Sequence, residues 1–294
     1  MASDDAQALQ TLIDLARDED LGDGDLSSEI LPGRDQPASF RLLAEQPGVF
    51  AGRAVGTAVL AAYDPAIEVV WTERGQDGAA FGAPVDLALL RGPLGQLLSA
   101  ERVFLNFLQR LCGVASLTRR YVDRVAGTGA AIYDTRKTIP GWRRLDKFAV
   151  RCGGGCNHRM GLYDGVIIKD NHVAGIETPR LAGAVFDMLN RLAGATARPS
   201  FIMVEADTLP QVEELMKVVG IDVVLLDNFA LEDLREAVAL RDGLGLSGKV
   251  ALEASGGVTL ETVRAIAETG VDRISVGALT HSAAALSLSL ERVA

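Results

Sequence analysis

FIMVEADTLPQVEELMKVVGIDVVLLDNF, Phe201–Phe229, holds one complete unit of the fold. FIMVEADT is a short apolar run closing on acids; Thr208 to Gln211 reads as a capping box; VVLLDNF is a second apolar run closing on Asp227 and Asn228. Neither run shows the alternation of a strand with one wet face. Both read as strands buried on two faces, and the helix between them makes the pair parallel.

The same unit recurs on either side. AAIYDT (130–135) and DGVIIKDN (164–171) precede it; VALEASGG (250–257) and RISVGAL (273–279) follow. The connections read as helices: Leu181, Val185, Met188 and Leu189 keep helical spacing, and LEDLREAVAL and TLETVRAIAETG carry apolar residues three and four apart. Six β/α units in succession predict an α/β barrel or an open relative of one, with a doubly wound sheet as the alternative.

The polar residues fall at one place in each unit. Arg136 and Lys137 follow the first run, Lys169 and Asp170 close the second, Glu205 lies near the end of the third, and Asp227 and Asn228 end the fourth. In a barrel these ends share one mouth, where active sites are assembled. The last two ends differ in kind: Ser255-Gly256-Gly257 and Gly277-Ala278 put small residues and backbone N–H groups ahead of helices. Taken singly they are tight turns; as a pair they predict a phosphate cradle.

The N-terminal third is organised differently. FRLLAEQPGVFAG, AIEVVW and VDLALL read as strands, Asp4 to Arg17 as a helix, and Leu94 to Val125 as helical with a break near Gly113. This predicts a separate α+β domain. ERVFLNFLQRL, from Glu101, is apolar around most of its circumference, as a helix between domains or subunits would be. The tail LSLSLERV alternates and predicts a strand returning to the first domain.

Composition narrows the function classes. With 294 residues, 48% hydrophobic, the chain can bury a large core. No apolar run is long enough for a membrane span, and the acidic start MASDDAQALQ is unlike a signal peptide. Three cysteines, Cys112, Cys152 and Cys156, point to reduced thiols, so a cytoplasmic location is expected. A net charge of −10 makes nucleic acid and anionic membranes poor partners. Against that background Asp134 to His172 carries eight Lys/Arg and four Asp/Glu, a local excess of positive charge. Arg143, Arg144, Lys147 and Arg151 fit a solvated helix face; the others need another explanation.

Within that segment RCGGGCNHRMG (151–161) invites three readings: a metal, a phosphate or an acidic substrate. Cys152, Cys156 and His158 have an unusual spacing for zinc, with no second ligand pair and with Arg151 and Arg159 beside them to repel a cation. Asp18 to Glu29 imitates a calcium loop but has Asp23 where the turn glycine belongs. The chain has no Walker loop, G-x-G-x-x-G fingerprint or G-x-S-x-G elbow.

Taken together, ERVFLNFLQRLCGVAS, the stretch DTRKTIPGWRRLDKFAVRCGGGCNHRMGLYDGVIIKDNH, and VEADT, LLDNF, EASGGV and VGALTHS resemble the quinolinate phosphoribosyltransferase family along nearly the whole chain. DTRKT, GGGxNHR and IKDNH, in that order, are the most specific pieces. The resemblance implies an open, incomplete α/β barrel (TIM-like) over residues 114–280. An N-terminal α/β sandwich domain would cover 1–113, joined by the C-terminal strand 281–294. It implies a homodimer, with quinolinate and phosphoribosyl pyrophosphate as substrates and Mg²⁺ as cofactor. Arg136, His158, Arg159 and Lys169 are then expected to hold the two carboxylates of quinolinate, with Arg102 reaching in from the partner subunit. Thr135 joins the substrate-binding set, as do Ser255, Gly256, Gly257, Gly277 and Ala278 at the phosphate, and Lys137 faces the pyrophosphate. Glu205 and Asp227 serve the anomeric carbon, directly or through Mg²⁺. His158 is expected to be most useful when protonated. Trp142 and Cys156 stand where the family varies and are expected to affect packing.

Chemistry agrees. Two carboxylates, a phosphate and a pyrophosphate in one mouth demand cations, each charge pair being worth about 4 kcal/mol at about 4 Å before desolvation. Two rivals remain: Lys169 as an imine-forming lysine, and a non-enzymatic anion-binding protein on the same scaffold.

Overall fold

The computed structural model describes residues 3–192 and 198–293. The chain divides into two compact units: Met1–Arg119, Ile139–Gly154 and Ser282–Ala294 form one, Arg120–Thr138 and Gly155–His281 the other. Residues 139–154, which the sequence reading assigns to the barrel, lie with the first unit. Residues 1, 2 and 294 of the expected first domain lie outside the described residues.

The first unit opens with α1 (Ser3–Leu21) and α2 (Leu26–Glu29), the latter capped by Asp25, which accepts from Ser27 and Ser28 N–H. There follow β1 (Pro37–Ala44), β2 (Gly48–Val49), α3 (Arg53–Tyr63), β3 (Glu68–Trp71), β4 (Ala80–Phe81), β5 (Val85–Pro93), α4 (Leu94–Arg124) and α5 (Arg143–Cys152). β1 buries Phe40, Leu42 and Ala44 on one face, the period-two pattern of a strand with one wet side. The expected strand 40–52 is broken: β1 stops at Ala44, and β2 pairs with β4 instead. Pro47, lacking an N–H, could not have continued the ladder.

α4 runs without the break expected at Gly113. A Cβ there would lie 2.1 Å from the Ala284 carbonyl oxygen, so the glycine admits the returning tail rather than ending the helix.

The second unit is a six-stranded parallel sheet of β6 (Ala131–Tyr133), β7 (Val166–Ile168), β8 (Ile202–Ala206), β9 (Val223–Asp227), β10 (Ala251–Ser255) and β11 (Arg273–Ser275). Between and after them lie α6 (Thr178–Leu192), α7 (Leu209–Leu215), α8 (Leu231–Gly243), α9 (Val263–Ala267) and α10 (Ala278–His281). The strand order is β6-β11-β10-β9-β8-β7, so the first two strands are the two edges and do not pair with each other. The sheet is therefore open where a barrel would close. Val223 to Leu226 of β9 are buried in unbroken succession, the two-faced burial read from VVLLDNF. α7 begins with the capping box of Thr208 and Gln211.

The last strand, β12 (Leu288–Arg292), pairs antiparallel with β1 and completes the first unit's sheet, β12-β1-β5-β3. This is the return read from LSLSLERV.

Candidate active site

A cavity of about 340 Å³ lies in the second unit where its parallel strands end. Thr135, Arg136 and Lys137 line it beyond β6, Lys169 beyond β7, Glu205 from β8, Asp227 from β9 and Ser255 from β10, together with His158 and Arg159. Ile167, Met203 and Leu225 give it an apolar wall, and Glu253 and Ser275 contribute two further polar groups.

His158 and Arg159 reach it through an extended addition to the sheet edge. Cys156 forms a parallel bridge with Tyr133 of β6, its N–H donating to Ile132 O at 2.7 Å and its carbonyl accepting from Asp134 N–H at 3.1 Å. At the N-terminal side of this edge Gly154 adopts φ 90°, a left-handed conformation that favours glycine. Asp134, fully buried, then accepts from His158 N–H at 2.8 Å and from Asn157 Nδ2 at 2.6 Å. One carboxylate thus grips the loop at both residues preceding Arg159. Arg159 Nη1 donates to Gly165 O at 2.8 Å; burial, followed by repulsion from Arg136, lowers its pKa.

His158 Nδ1 accepts from Arg159 N–H at 2.8 Å. An imidazolium has no lone pair to accept with, so this geometry belongs to the neutral ring with its proton on Nε2. Nε2 lies 3.6 Å from Glu253 Oε1, and the ring meets Phe201 edge-on at 5.2 Å. Glu253 is 1% exposed, and burial raises its carboxyl to about 7 despite a hydrogen bond from Ser275.

The two predicted acids are held differently. Lys169 Nζ lies 3.3 Å from Glu205 Oε2, an ion-pair contact. Burial raises the Glu205 pKa; Lys169 opposes the rise, while Asp227 and Asp170 add to it. Asp227 Oδ2 accepts from Asn228 Nδ2 at 2.7 Å, and Asn228 adopts φ 57° so that its N–H reaches Ser255 O at 2.9 Å. Gly256, at φ 97°, makes room for this: a Cβ there would lie 2.1 Å from Asn228 Oδ1. Lys137 is fixed through its backbone, its N–H donating to Thr135 Oγ1 at 3.0 Å and its carbonyl accepting from Thr280 Oγ1 at 2.8 Å.

The glycines of the expected phosphate cradle are not among the cavity's lining residues. Gly277 nonetheless approaches it, since a Cβ would lie 3.1 Å from Lys137 Cδ. Gly257 has φ 58°, and Ala278 begins α10. Arg102 lies in the first unit, where it borders a different cavity with Asp20, Asp25, Leu26, Leu98 and Ser99.

Sequence reasoning missed four residues: Asp134, Glu253, Ser275 and Thr280. Glu253 carried a visible sign, an acid inside the apolar run VALEASGG. Asp134 stood in DTRKT but entered only the charge count.

Residues 25–112 match the N-terminal domain of quinolinate phosphoribosyl transferase and residues 114–291 the C-terminal domain. The chain is 38% identical to a probable nicotinate-nucleotide pyrophosphorylase [carboxylating] of Bacillus subtilis, over 93% of its own length and 89% of that protein's. It is 38% identical to quinolinate phosphoribosyltransferase [decarboxylating] 1b of Nicotiana tabacum, over 96% and 82% respectively. The solved structure of the nicotinate-nucleotide pyrophosphorylase from Francisella tularensis superposes with a TM-score of 0.87 at 33% identity, over 98% of this chain and 96% of that one.

Proposed function

The chain belongs to the quinolinate phosphoribosyltransferase family, and we propose how its cavity performs the family's reaction. That reaction transfers the phosphoribosyl group of phosphoribosyl pyrophosphate to quinolinate with decarboxylation, giving nicotinate mononucleotide, pyrophosphate and CO2 for NAD biosynthesis. The observation that carries the residue roles is the convergence of Arg136, Lys137, Arg159 and Lys169 on one cavity that also holds Glu205 and Asp227.

The cations gather the anions. Arg136, Arg159, Lys169 and the Nε2–H of His158 bind the pyridine diacid, the arginines by the planar fork that matches a carboxylate. Thr135 and Lys137 face the pyrophosphate, and the backbone of Ser255 to Gly257 and of Gly277 and Ala278 receives the 5′-phosphate. Glu205 and Asp227 face the anomeric carbon. As pyrophosphate leaves, positive charge develops there, and a carboxylate already desolvated stabilises it without reorganising water. Attack by the ring nitrogen then makes the pyridine cationic. The cationic nitrogen stabilises the in-plane carbanion left when the adjacent carboxylate departs as CO2, so that bond breaks without a protein base, and the carbanion then takes one proton from solvent to give nicotinate mononucleotide.

Mg²⁺ suits this donor set, because it binds through one or two carboxylates plus substrate phosphates, and the cavity presents two carboxylates, Glu205 and Asp227. Glu205 and Asp227 would hold it, directly or through water, and it would neutralise the leaving pyrophosphate. The ion pair between Lys169 and Glu205 disfavours the rival imine chemistry, since an imine-forming lysine needs apolar or cationic surroundings.

Arg102 completes the site from the partner of a homodimer. No helix among the described residues is long and apolar enough to cross a membrane, and the three cysteines are free, in keeping with a cytoplasmic enzyme. The test mixes quinolinate, phosphoribosyl pyrophosphate and Mg²⁺ and follows nicotinate mononucleotide. Arg102→Ala and Lys137→Ala should each be inactive alone and partly active when mixed, through hybrid dimers with one intact site. No rescue, with subunit exchange verified, would remove the shared site.

A further inference from the structure

Glu253 sits in the middle of β10, hydrogen-bonded on either side to β9 and β11. It lines the cavity yet is 1% exposed, and its Oε2 has no hydrogen-bond partner. A buried oxygen left this way is aimed at a ligand or carries a proton it can donate.

Its surroundings decide between charged and neutral forms. From β11, Ser275 hydrogen-bonds it, while Arg273, beside it in register, stacks its guanidinium on the Tyr133 ring at 4.8 Å. From β9 the neighbour is Leu225. From the loop, His158 presents Nε2 at 3.6 Å, beyond hydrogen-bonding range, on a neutral ring. Asp134, beyond β6, adds a like charge. Elsewhere on the cavity wall stand Arg136, Lys137, Arg159 and Lys169 against Glu205 and Asp227. Ser275 and the charge of Arg273 both favour the Glu253 carboxylate, yet burial, aided by Asp134, outweighs them and raises its pKa to about 7, while Oε2 is left without a hydrogen-bond partner. A substrate bringing two carboxylates pushes further toward the neutral form.

The geometry points to Glu253 as a further substrate-binding residue: a buried carboxyl that takes up one proton from solvent as the diacid enters and donates it to the substrate as a hydrogen bond. The proposal rests on quinolinate occupying this cavity, as argued above. It makes affinity for the diacid depend on pH through a group that is neither a cation nor a metal ligand. It also gives His158 a companion donor, so that two neutral hydrogen bonds supplement the charged ones.

Calorimetric titration of quinolinate into the full chain, in two buffers of different ionisation enthalpy, reads the proton directly. At about pH 8 the wild type should take up about one proton per site, and its Kd should weaken by up to about tenfold per pH unit above about 7. Glu253→Gln, neutral at every pH, should take up none and show a flat Kd. Uptake that persists in Glu253→Gln would assign the proton to another cavity group, His158 or Glu205, and overturn the proposal, as would its absence in the wild type. Should the glutamine variant fail to fold, infrared difference spectra of the wild type serve instead: quinolinate binding above about pH 8 should add a protonated-carboxyl C=O band, and its absence refutes. A preparation that forms no nicotinate mononucleotide fails the functional assignment; one that forms it without proton uptake fails this proposal alone.

Discussion

Glu253→Gln should stabilise the substrate-free protein above neutral pH. Burial raises the Glu253 carboxyl from 4.5 to about 7. Below about 4.5 the folded and unfolded chains both carry the proton, and the residue costs nothing electrostatically. Between those values the folded chain holds a proton that the unfolded chain has released, so stability falls as pH rises. Above about 7 both forms are ionised and the full cost of a buried, unpaired carboxylate is present. At about 1.4 kcal/mol per pH unit, that cost is about 3 kcal/mol. Solvent screening does not reduce it, because the residue is 1% exposed.

Glutamine keeps the shape and can still accept from Ser275, but cannot ionise. Urea denaturation of wild type and variant across pH should give curves that meet near pH 4.5 and separate by up to about 3 kcal/mol at about pH 8, the variant being the more stable. A variant less stable at pH 8, or a difference without pH dependence, would show that the carboxylate has a compensating partner and that burial is not what raises its pKa.

Three further outcomes follow from the same site. Asp134→Ala removes the acceptor of two hydrogen bonds, at 2.8 and 2.6 Å, that fix His158 and Asn157; at about 1.5–3 kcal/mol each, kcat/KM should fall at least about 100-fold, with faster amide exchange at His158. Because burial raises the Glu205 pKa, the acid limb of kcat/KM should lie above the ordinary glutamate range; Glu205→Gln should abolish that limb and slow turnover by about 100-fold or more. Gly256→Ala puts a side chain at φ 97° and against Asn228 Oδ1, so thermal denaturation should reveal a loss of about 2 kcal/mol, and activity should fall as Asp227 shifts.

The parallel sheet was legible because its causes are local. FIMVEADT and VVLLDNF show burial on both faces, Thr208 and Gln211 form their capping box, and β12 follows from the alternation in LSLSLERV. Each is decided within a few residues by periodicity and hydrogen bonding. Gly113 was misread because its cause is remote: a helix formula sees a helix breaker, whereas the residue answers to a carbonyl at Ala284. The strand expected over 40–52 failed for a similar reason, since where β1 yields to β2 depends on the partners β5 and β4.

The division within the site has the same origin. Arg136, Lys137, Lys169, Glu205 and Asp227 announced themselves as polar residues at the ends of apolar runs, where a strand leaves the core. Asp134 and Glu253 stand one step back, and what they do depends on residues far away in sequence: Asn157 and His158 for the first, Ser275 and His158 for the second. Yet Glu253 broke the pattern visibly, as an acid within a strand buried on both faces. Such a residue is costly to the fold unless something compensates it, and here the protein alone leaves one oxygen uncompensated. An acid that a buried strand tolerates without a full set of partners therefore points to a partner that arrives with the substrate, and that rule extends the reading of strand ends to the strand interior.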